Sequence, residues 1–517
     1  MTNTDRSELE PLDKVAPAEA PPTSTPAPGL NAIAAGWLVF LTSGAVLMLE
    51  ILSLRLVAPY LGLTLEMSTG VIGFALGAIA LGAWLGGRAA DSMAPQRILG
   101  PIVLLAGVLV LFVGPAVRFT GEQVRGGDAT AVLVMAAVSI LAPAALLAAV
   151  TPLVVKLRLQ ALDETGRVVG RLSGVGTLGA LVATFATGFL LVAELPTSRI
   201  LLALGGTLIV LGLFLTVKLR GAPVAYGLLI FAVGGVGASS FFPPPCDVET
   251  AYHCARVVPD PNRPSGRTLR MDTLFHSYVD LEDPSYLEFS YTRSFAAVID
   301  AAKPGVPVDG LHIGGGGFTI PRYLDFTRPG SDNLVLEIDQ GVVDLDVKSL
   351  GLKLGDGIQA HVGDGRVALR EQEDSSRDVV VEDAFGGLAV PWHLTTVETA
   401  QQIRRILRPD GIYLVNVIDF APLLFARAEA ATIAEVFPHV ALISRPDVLA
   451  GESGDNLVMV GSESPLPIAA IRAELAERAP EFTLIEGDAY EDFAGNARVL
   501  TDDYAPVDQL VTLRDQF

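Results

Sequence analysis

Residues Asp309–Asp339 read DGLHIGGGGFTIPRYLDFTRPGSDNLVLEID, and the rest of the chain is organised around them. A short apolar run, Gly310–Ile313, leads into four consecutive glycines, Gly314–Gly317, and a helical pattern follows from Phe318 to Phe326. A second apolar run, Asn333–Ile338, carries Glu337 near its end, with Asp339 next in line. Strand, glycine turn, helix, strand, acid is the nucleotide-binding arrangement of a Rossmann-like unit. The glycines let backbone amides approach the ligand closely, and an acid about 20 residues downstream accepts hydrogen bonds from ribose hydroxyls. Because this acid closes its own strand, the pattern is more specific than a glycine motif alone.

The 517 residues leave room for two or three domains. A mean hydropathy of +0.48 with 18% charged residues is too apolar for an ordinary soluble enzyme. The net charge of -21 argues against nucleic acid, which selects basic faces. Most of that charge lies after residue 245, dividing a sparsely charged half from an acidic one. The six histidines (His253, His276, His312, His361, His393, His439) are scattered without metal-ligand spacing, so no metal is expected.

Residues 1–30 are rich in Pro, Ala, Ser, Thr and acids and read as a disordered tail. From residue 31 to 243 the chain reads as a transmembrane domain of about seven helices, near 33–54, 69–87, 99–117, 130–150, 173–193, 200–217 and 224–242. Each has about the 17–25 residues needed to cross the hydrocarbon core. Loop lysines and arginines favour a cytoplasmic N-terminus in a multi-pass cell-membrane protein. An odd number of crossings then leaves the C-terminal domain extracytoplasmic. Cys246 and Cys254, close together just after the last run, are candidates for a disulfide, which persists in oxidising compartments. Spacing alone does not fix that pairing.

Within the membrane half, Glu50 and Arg55 lie in or beside the first helix. An acid there is expected to be paired or functional, with a Glu50–Arg55 pair and snorkelling as the structural alternatives. The small residues of GAIALGAWLGG, closing the second helix, permit close helix packing.

Beyond the junction, residues 244–300 read as a small β-rich subdomain and 301–517 as the Rossmann-like domain. Gly341–Leu352 reads as a helix, Ile358–Val362 as a strand entering GDGR, and Arg377–Glu382 as a strand ending on Asp383. The helix Thr395–Leu407 and the strand Gly411–Val417 continue the alternation, predicting a mostly parallel doubly wound sheet. Ligands bind at the carboxyl ends of such strands. Gly314–Gly317, Glu337, Asp364 and Asp383 all fall there, so they converge on one crevice.

The order IGGGG…LEID…VGDGR…VVVEDAF…LRPDGIYLVNV resembles the catalytic domain of spermidine synthases, the polyamine aminopropyltransferases, over roughly residues 265–460. With SGAVLMLEILSLRLVAPYLG, the GGRAAD helix end and VLTDDYAPVDQL, the chain resembles fused major-facilitator/spermidine-synthase proteins. The resemblance implies that Gly314, Gly315 and Gly316 lie against the donor, decarboxylated S-adenosylmethionine. It implies that Glu337 binds its ribose and that Asp364 with Gly365 contacts adenine. Asp383 falls at the catalytic aspartate, Tyr291 near the tyrosine of a YHE segment, and His276 near a glutamine that holds the acceptor. Asp502, Asp503 and Glu382 are further acids for an amine or polyamine acceptor. The implied enzyme is a membrane-bound transferase whose partners are that amine and the lipid bilayer; a homodimer is left open.

Two positions depart from the family pattern. Spermidine synthases read GGGDGG, with an aspartate for the donor amine where this chain has Gly317, and a second acid where it has Gly386. The alternatives are therefore methyl transfer from S-adenosylmethionine, or a transport-associated protein that binds polyamines or nucleosides without turnover.

Overall fold

The computed structural model describes residues 30–61, 65–124, 129–159, 164–220, 246–272, 274–386 and 390–511, with a few positions between 227 and 234. In the N-terminal half six helices are long and apolar enough to cross a membrane. They are α1 (Ala32–Leu61), α2 (Leu65–Ser92), α3 (Pro95–Gln123), α4 (Thr130–Arg158), α5 (Thr165–Leu191) and α6 (Thr197–Arg220). The seventh expected helix, 224–242, falls almost entirely outside the described residues.

These helices pack chiefly in three pairs, α1 with α5, α2 with α4 and α3 with α6. Lipid offers apolar side chains as good an environment as another helix does, so association depends on close backbone approach and van der Waals contact. Small residues therefore sit at the closest helix contacts, within a core that also holds Leu49, Leu52, Met67 and Leu99. A Cβ at Gly82 would come within 2.1 Å of the Ala145 carbonyl, and one at Gly86 within 2.6 Å of the Ala149 carbonyl. Trp84, Phe189, Val210 and Phe214 instead project outward.

The chain then enters an antiparallel four-stranded sheet of β1 (Val248–Glu249), β2 (Cys254–Pro259), β3 (Gly266–Met271) and β4 (Leu274–Asp280). A disulfide joins Cys246 to Cys254 at a Cα–Cα distance of 5.3 Å, where β1 and β2 begin to pair. Two polar contacts tie this sheet to the helical half. The Ser198 amide donates to Glu249 Oε2 at 3.0 Å, and Arg55 Nη2 donates to the Thr250 carbonyl at 2.7 Å. Among the described residues no ion pair joins Arg55 to Glu50.

After α7 (Ser290–Ala302) the α/β alternation begins. It runs β5 (Asp309–Ile313), α8 (Thr319–Thr327), β6 (Asp332–Glu337), α9 (Gln340–Ser349), β7 (Ile358–Val362), the short α10 (Gly365–Leu369), β8 (Arg377–Glu382), α11 (Val397–Ile406) and β9 (Leu407–Asp419). Then follow α12 (Leu424–Val436), β10 (His439–Ser444), β11 (Asp455–Ser462), α13 (Ile468–Arg478) and β12 (Thr483–Glu486). The sheet order is β12-β10-β11-β9-β8-β5-β6-β7. From β9 through β7 every pairing is parallel, whereas β9, β11, β10 and β12 pair antiparallel. The parallel half matches the expected alternation, and the antiparallel flank extends it. Strand side chains alternate between two cores. Val379, Val381, Ile412 and Leu414 face α7 and α13, while Val380, Tyr413 and Val415 face α11 and α12.

Gly82→Val should force α2 and α4 apart and cost about 1–3 kcal/mol. The expected readout is a lower thermal midpoint of the detergent-purified chain. Gly73→Val is the matched control, because a Cβ there meets nothing within 4 Å.

Candidate nucleotide and transfer site

The carboxyl ends of β5, β6 and β8 meet at one cavity of about 620 Å³, closed on the far side by β4 and the start of α7. Gly314 follows β5 with φ +92°, and a Cβ there would lie 2.5 Å from the Asp383 carbonyl. Only glycine allows this positive φ and this approach of β5 to β8 without strain. Gly315 turns its N–H to Glu337 Oε2 at 2.7 Å, and Glu337 Oε1 accepts the Asp339 N–H at 2.9 Å. Burial raises the Glu337 carboxyl, and these two backbone donors pull it back. Each oxygen keeps a free lone pair, so the group can still accept a hydroxyl from a ligand.

Asp364 follows β7 and caps α10, its Oδ1 accepting the Val367 N–H at 3.1 Å. Asp364, Gly365 and His393 line the same end of the cavity as Glu337 and Ile338. Asp383 stands at the end of β8, half-buried, with Oδ2 accepting the Tyr291 hydroxyl at 3.1 Å and Oδ1 accepting Asn416 Nδ2 at 2.9 Å. Burial pushes its pKa from the ordinary 3.8 up to about 6, opposed by the Asn416 and Tyr291 hydrogen bonds. A folded value above the unfolded one means the folded state holds the proton more tightly. Asp383 therefore favours folding most at low pH, and that contribution is lost as pH rises through about 6. A carboxylate so poised, at neutral pH, can accept a proton from or anchor an amine.

His276 lines the cavity, and burial lowers its pKa to about 4, so the ring is neutral. Its carbonyl lies 3.5 Å from the Tyr291 hydroxyl. The glycines, Glu337, Asp364, Gly365, Asp383, Tyr291 and His276 are thus brought together. Three other acids are not. Asp502 accepts Arg366 Nη2 at 2.9 Å and Thr396 Oγ1 at 2.7 Å, clamping α10 to α11 from outside the cavity. Asp503 is exposed and does not line the cavity. Glu382, one residue before Asp383, points to the opposite face of the strand, 1% exposed, where the Tyr413 hydroxyl donates to it at 2.7 Å. Burial pushes its pKa to about 8.

Two site residues escaped the sequence reading. Asn416, which orients Asp383, is the one amide side chain in the apolar strand LVNVID, and that polarity was the available signal. Ser277, on β4, accepts the Gly317 N–H at 2.9 Å, and a Cβ at Gly317 would lie 2.9 Å from Ser277 Cβ. The fourth glycine therefore serves packing against the small sheet, and a larger side chain there would need Ser277 to move.

Tyr291→Phe removes one of the two donors that hold Asp383 ionised. In any reaction using that carboxylate, the midpoint of the acid limb of the pH–rate profile should rise above about 6. An unmoved or lowered midpoint would take Asp383 out of the titration.

No family model matches the chain. The polyamine aminopropyltransferase of Vibrio vulnificus is 28% identical over 246 residues, covering 45% of this chain and 79% of that protein. The polyamine aminopropyltransferase of Chromobacterium violaceum is 28% identical over 141 residues, 27% of this chain and 53% of its own length, so the chain spans about half of it. Among solved structures, a probable spermidine synthase from Corynebacterium glutamicum aligns with 29% identity and a TM-score of 0.47. That alignment covers 49% of this chain and 95% of the other. The C-terminal half of this chain is similar to aminopropyltransferases.

Proposed function

We propose that the chain is a membrane-bound aminopropyltransferase, moving an aminopropyl group from decarboxylated S-adenosylmethionine to an amine acceptor, polyamine or other. One observation carries the reading most: Glu337 and Asp383, at the ends of β6 and β8, flank the glycine turn of β5 in a single cavity. One carboxylate is ready for ribose hydroxyls and the other for an amine, in a chain similar to proteins named for this transfer.

The residues fit the donor. Gly314, Gly315 and Gly316 line the cavity with Glu337, and Asp364 with Gly365 line it too, supporting the adenine contact that the resemblance implies for them. When bound, the donor supplies a sulfonium whose adjacent carbon is open to attack. Asp383 holds the acceptor amine in line and takes its proton as the C–N bond forms and the C–S bond breaks. The electron pair of the broken bond stays on sulfur, which leaves as a neutral thioether. Asn416 and Tyr291 fix the Asp383 carboxylate for that proton.

Methyl transfer from S-adenosylmethionine is the second reading. It is favoured by Gly317, whose packing on Ser277 leaves no carboxylate where the resembled family holds the donor's amine. The relatives' names favour aminopropyl transfer.

For the whole chain we propose the division read from the sequence: a tail over 1–30, the membrane domain over 31–243, a β-rich junction over 244–300 and the catalytic domain over 301–517. The likeness of the membrane half to major-facilitator transporters belongs with this proposal. So does an extracytoplasmic catalytic domain, which the Cys246–Cys254 disulfide supports.

Calorimetric titration with decarboxylated and ordinary S-adenosylmethionine, side by side, tests the donor. Preference for the decarboxylated form is expected, preference for the ordinary form would favour methyl transfer, and binding of neither would overturn the nucleotide site. Asp383→Asn should keep donor binding and lower turnover by about 10²–10⁴-fold. Retained turnover would remove Asp383 from the chemistry. After reduction, Cys254 should react with an impermeant thiol reagent in intact cells, and labelling confined to lysed cells would place the domain inside.

A further inference from the structure

An unbroken series of hydrogen bonds runs from the first membrane helix to the glycine turn. Arg55 Nη2 donates to the Thr250 carbonyl at 2.7 Å. The Thr250 hydroxyl accepts the His253 N–H at 2.8 Å and donates to Asp339 Oδ2. Its single hydrogen is better placed on that carboxylate than on the neutral His253 carbonyl 3.1 Å away. Asp339, 1% exposed, caps α9 through the Gly341 N–H at 2.9 Å and gives its own N–H to Glu337 Oε1. Glu337 Oε2 in turn receives the Gly315 N–H.

The sequence makes room for this contact. A Cβ at Gly341 would lie 2.7 Å from Thr250 Cγ2, so the absence of a side chain lets β1 press Thr250 against the α9 cap. Glu337 and Asp339 are two buried carboxylates, two residues apart, that repel each other. Across the junction Arg55, from the membrane half, lies within electrostatic reach of Asp339, Glu249 and Asp272.

We propose that Arg55 is a positioning residue for the donor site, acting through Thr250 and Asp339 to hold the Glu337 carboxylate in place for the donor's ribose. The membrane domain then completes the nucleotide site as well as carrying it. This rests on the nucleotide reading of the cavity, and the test separates the two.

The probe pair is 5′-methylthioadenosine and its 2′,3′-dideoxy analogue, titrated calorimetrically into the full-length purified protein. The ratio of their affinities isolates the ribose hydroxyls. General damage weakens both ligands alike and leaves the ratio unchanged, whereas misplacement of Glu337 shrinks it. Arg55→Gln should reduce the ratio about fivefold or more, the scale of coupling between linked sites. Thr250→Val, which keeps the side-chain shape without the hydroxyl, should do the same, and Thr250→Ser should retain the wild-type ratio. Should Arg55→Gln fail to fold, Thr250→Val decides. An unchanged ratio in the folded variants overturns the proposal while leaving the nucleotide site standing. If the wild-type protein binds neither nucleoside, the nucleotide reading fails and this inference falls with it.

Discussion

The carboxylate of Glu337, buried at the end of β6, is the constraint on which the cavity depends. An ionised group in that position is costly unless donors meet it. Here both oxygens are met by backbone N–H groups, from Gly315 and Asp339. Backbone donors are aimed by chain conformation, so the demand passes outward. Gly314 must take a positive φ to turn the Gly315 amide inward, and Asp339 must stay extended to cap α9. The turn geometry of two loops is thus set by one side chain.

The two halves of the chain share buried apolar cores but differ in what they expose. In the α/β half, successive residues of β8 and β9 feed alternate faces, and large apolar side chains fill the space between sheet and helices. In the helical half leucine, valine and methionine also fill the interior, but the closest helix contacts are made at glycine, and further large apolar side chains face outward. The same preference for apolar contact produces both outcomes, because the surroundings of one half are water and those of the other are hydrocarbon.

Much of this was legible in the sequence for a local reason. The strands β5 through β8 and their terminal acids announce themselves by apolar runs that stop at Gly314, Glu337, Asp364 and Asp383. The paired cysteines declared the junction, although spacing left their bond open. Legibility ended where meaning depends on distant partners. Asp502 reads like any acid for an amine until Arg366 and Thr396 are found beside it. The adjacent acids Glu382 and Asp383 look equivalent, yet the two-residue period of a strand sends one into the core and the other into the cavity. The antiparallel direction of β10 to β12 depends on long connections that no short motif encodes.

The bond between Arg55 and Thr250 spans 195 positions of chain, and that separation bears on how the protein is made. Translation delivers α1 to the bilayer long before Thr250 leaves the ribosome. Once the helices have inserted, the part of that loop from Arg55 to Arg220 is already fixed in the bilayer. Most of the entropy of closing it is therefore lost during membrane insertion and not during folding of the later domain. The cation is an anchored feature of the landscape when β1 arrives. The catalytic domain thus folds against a surface already in place, and one cut away from its helices would have to reach the same arrangement without that template.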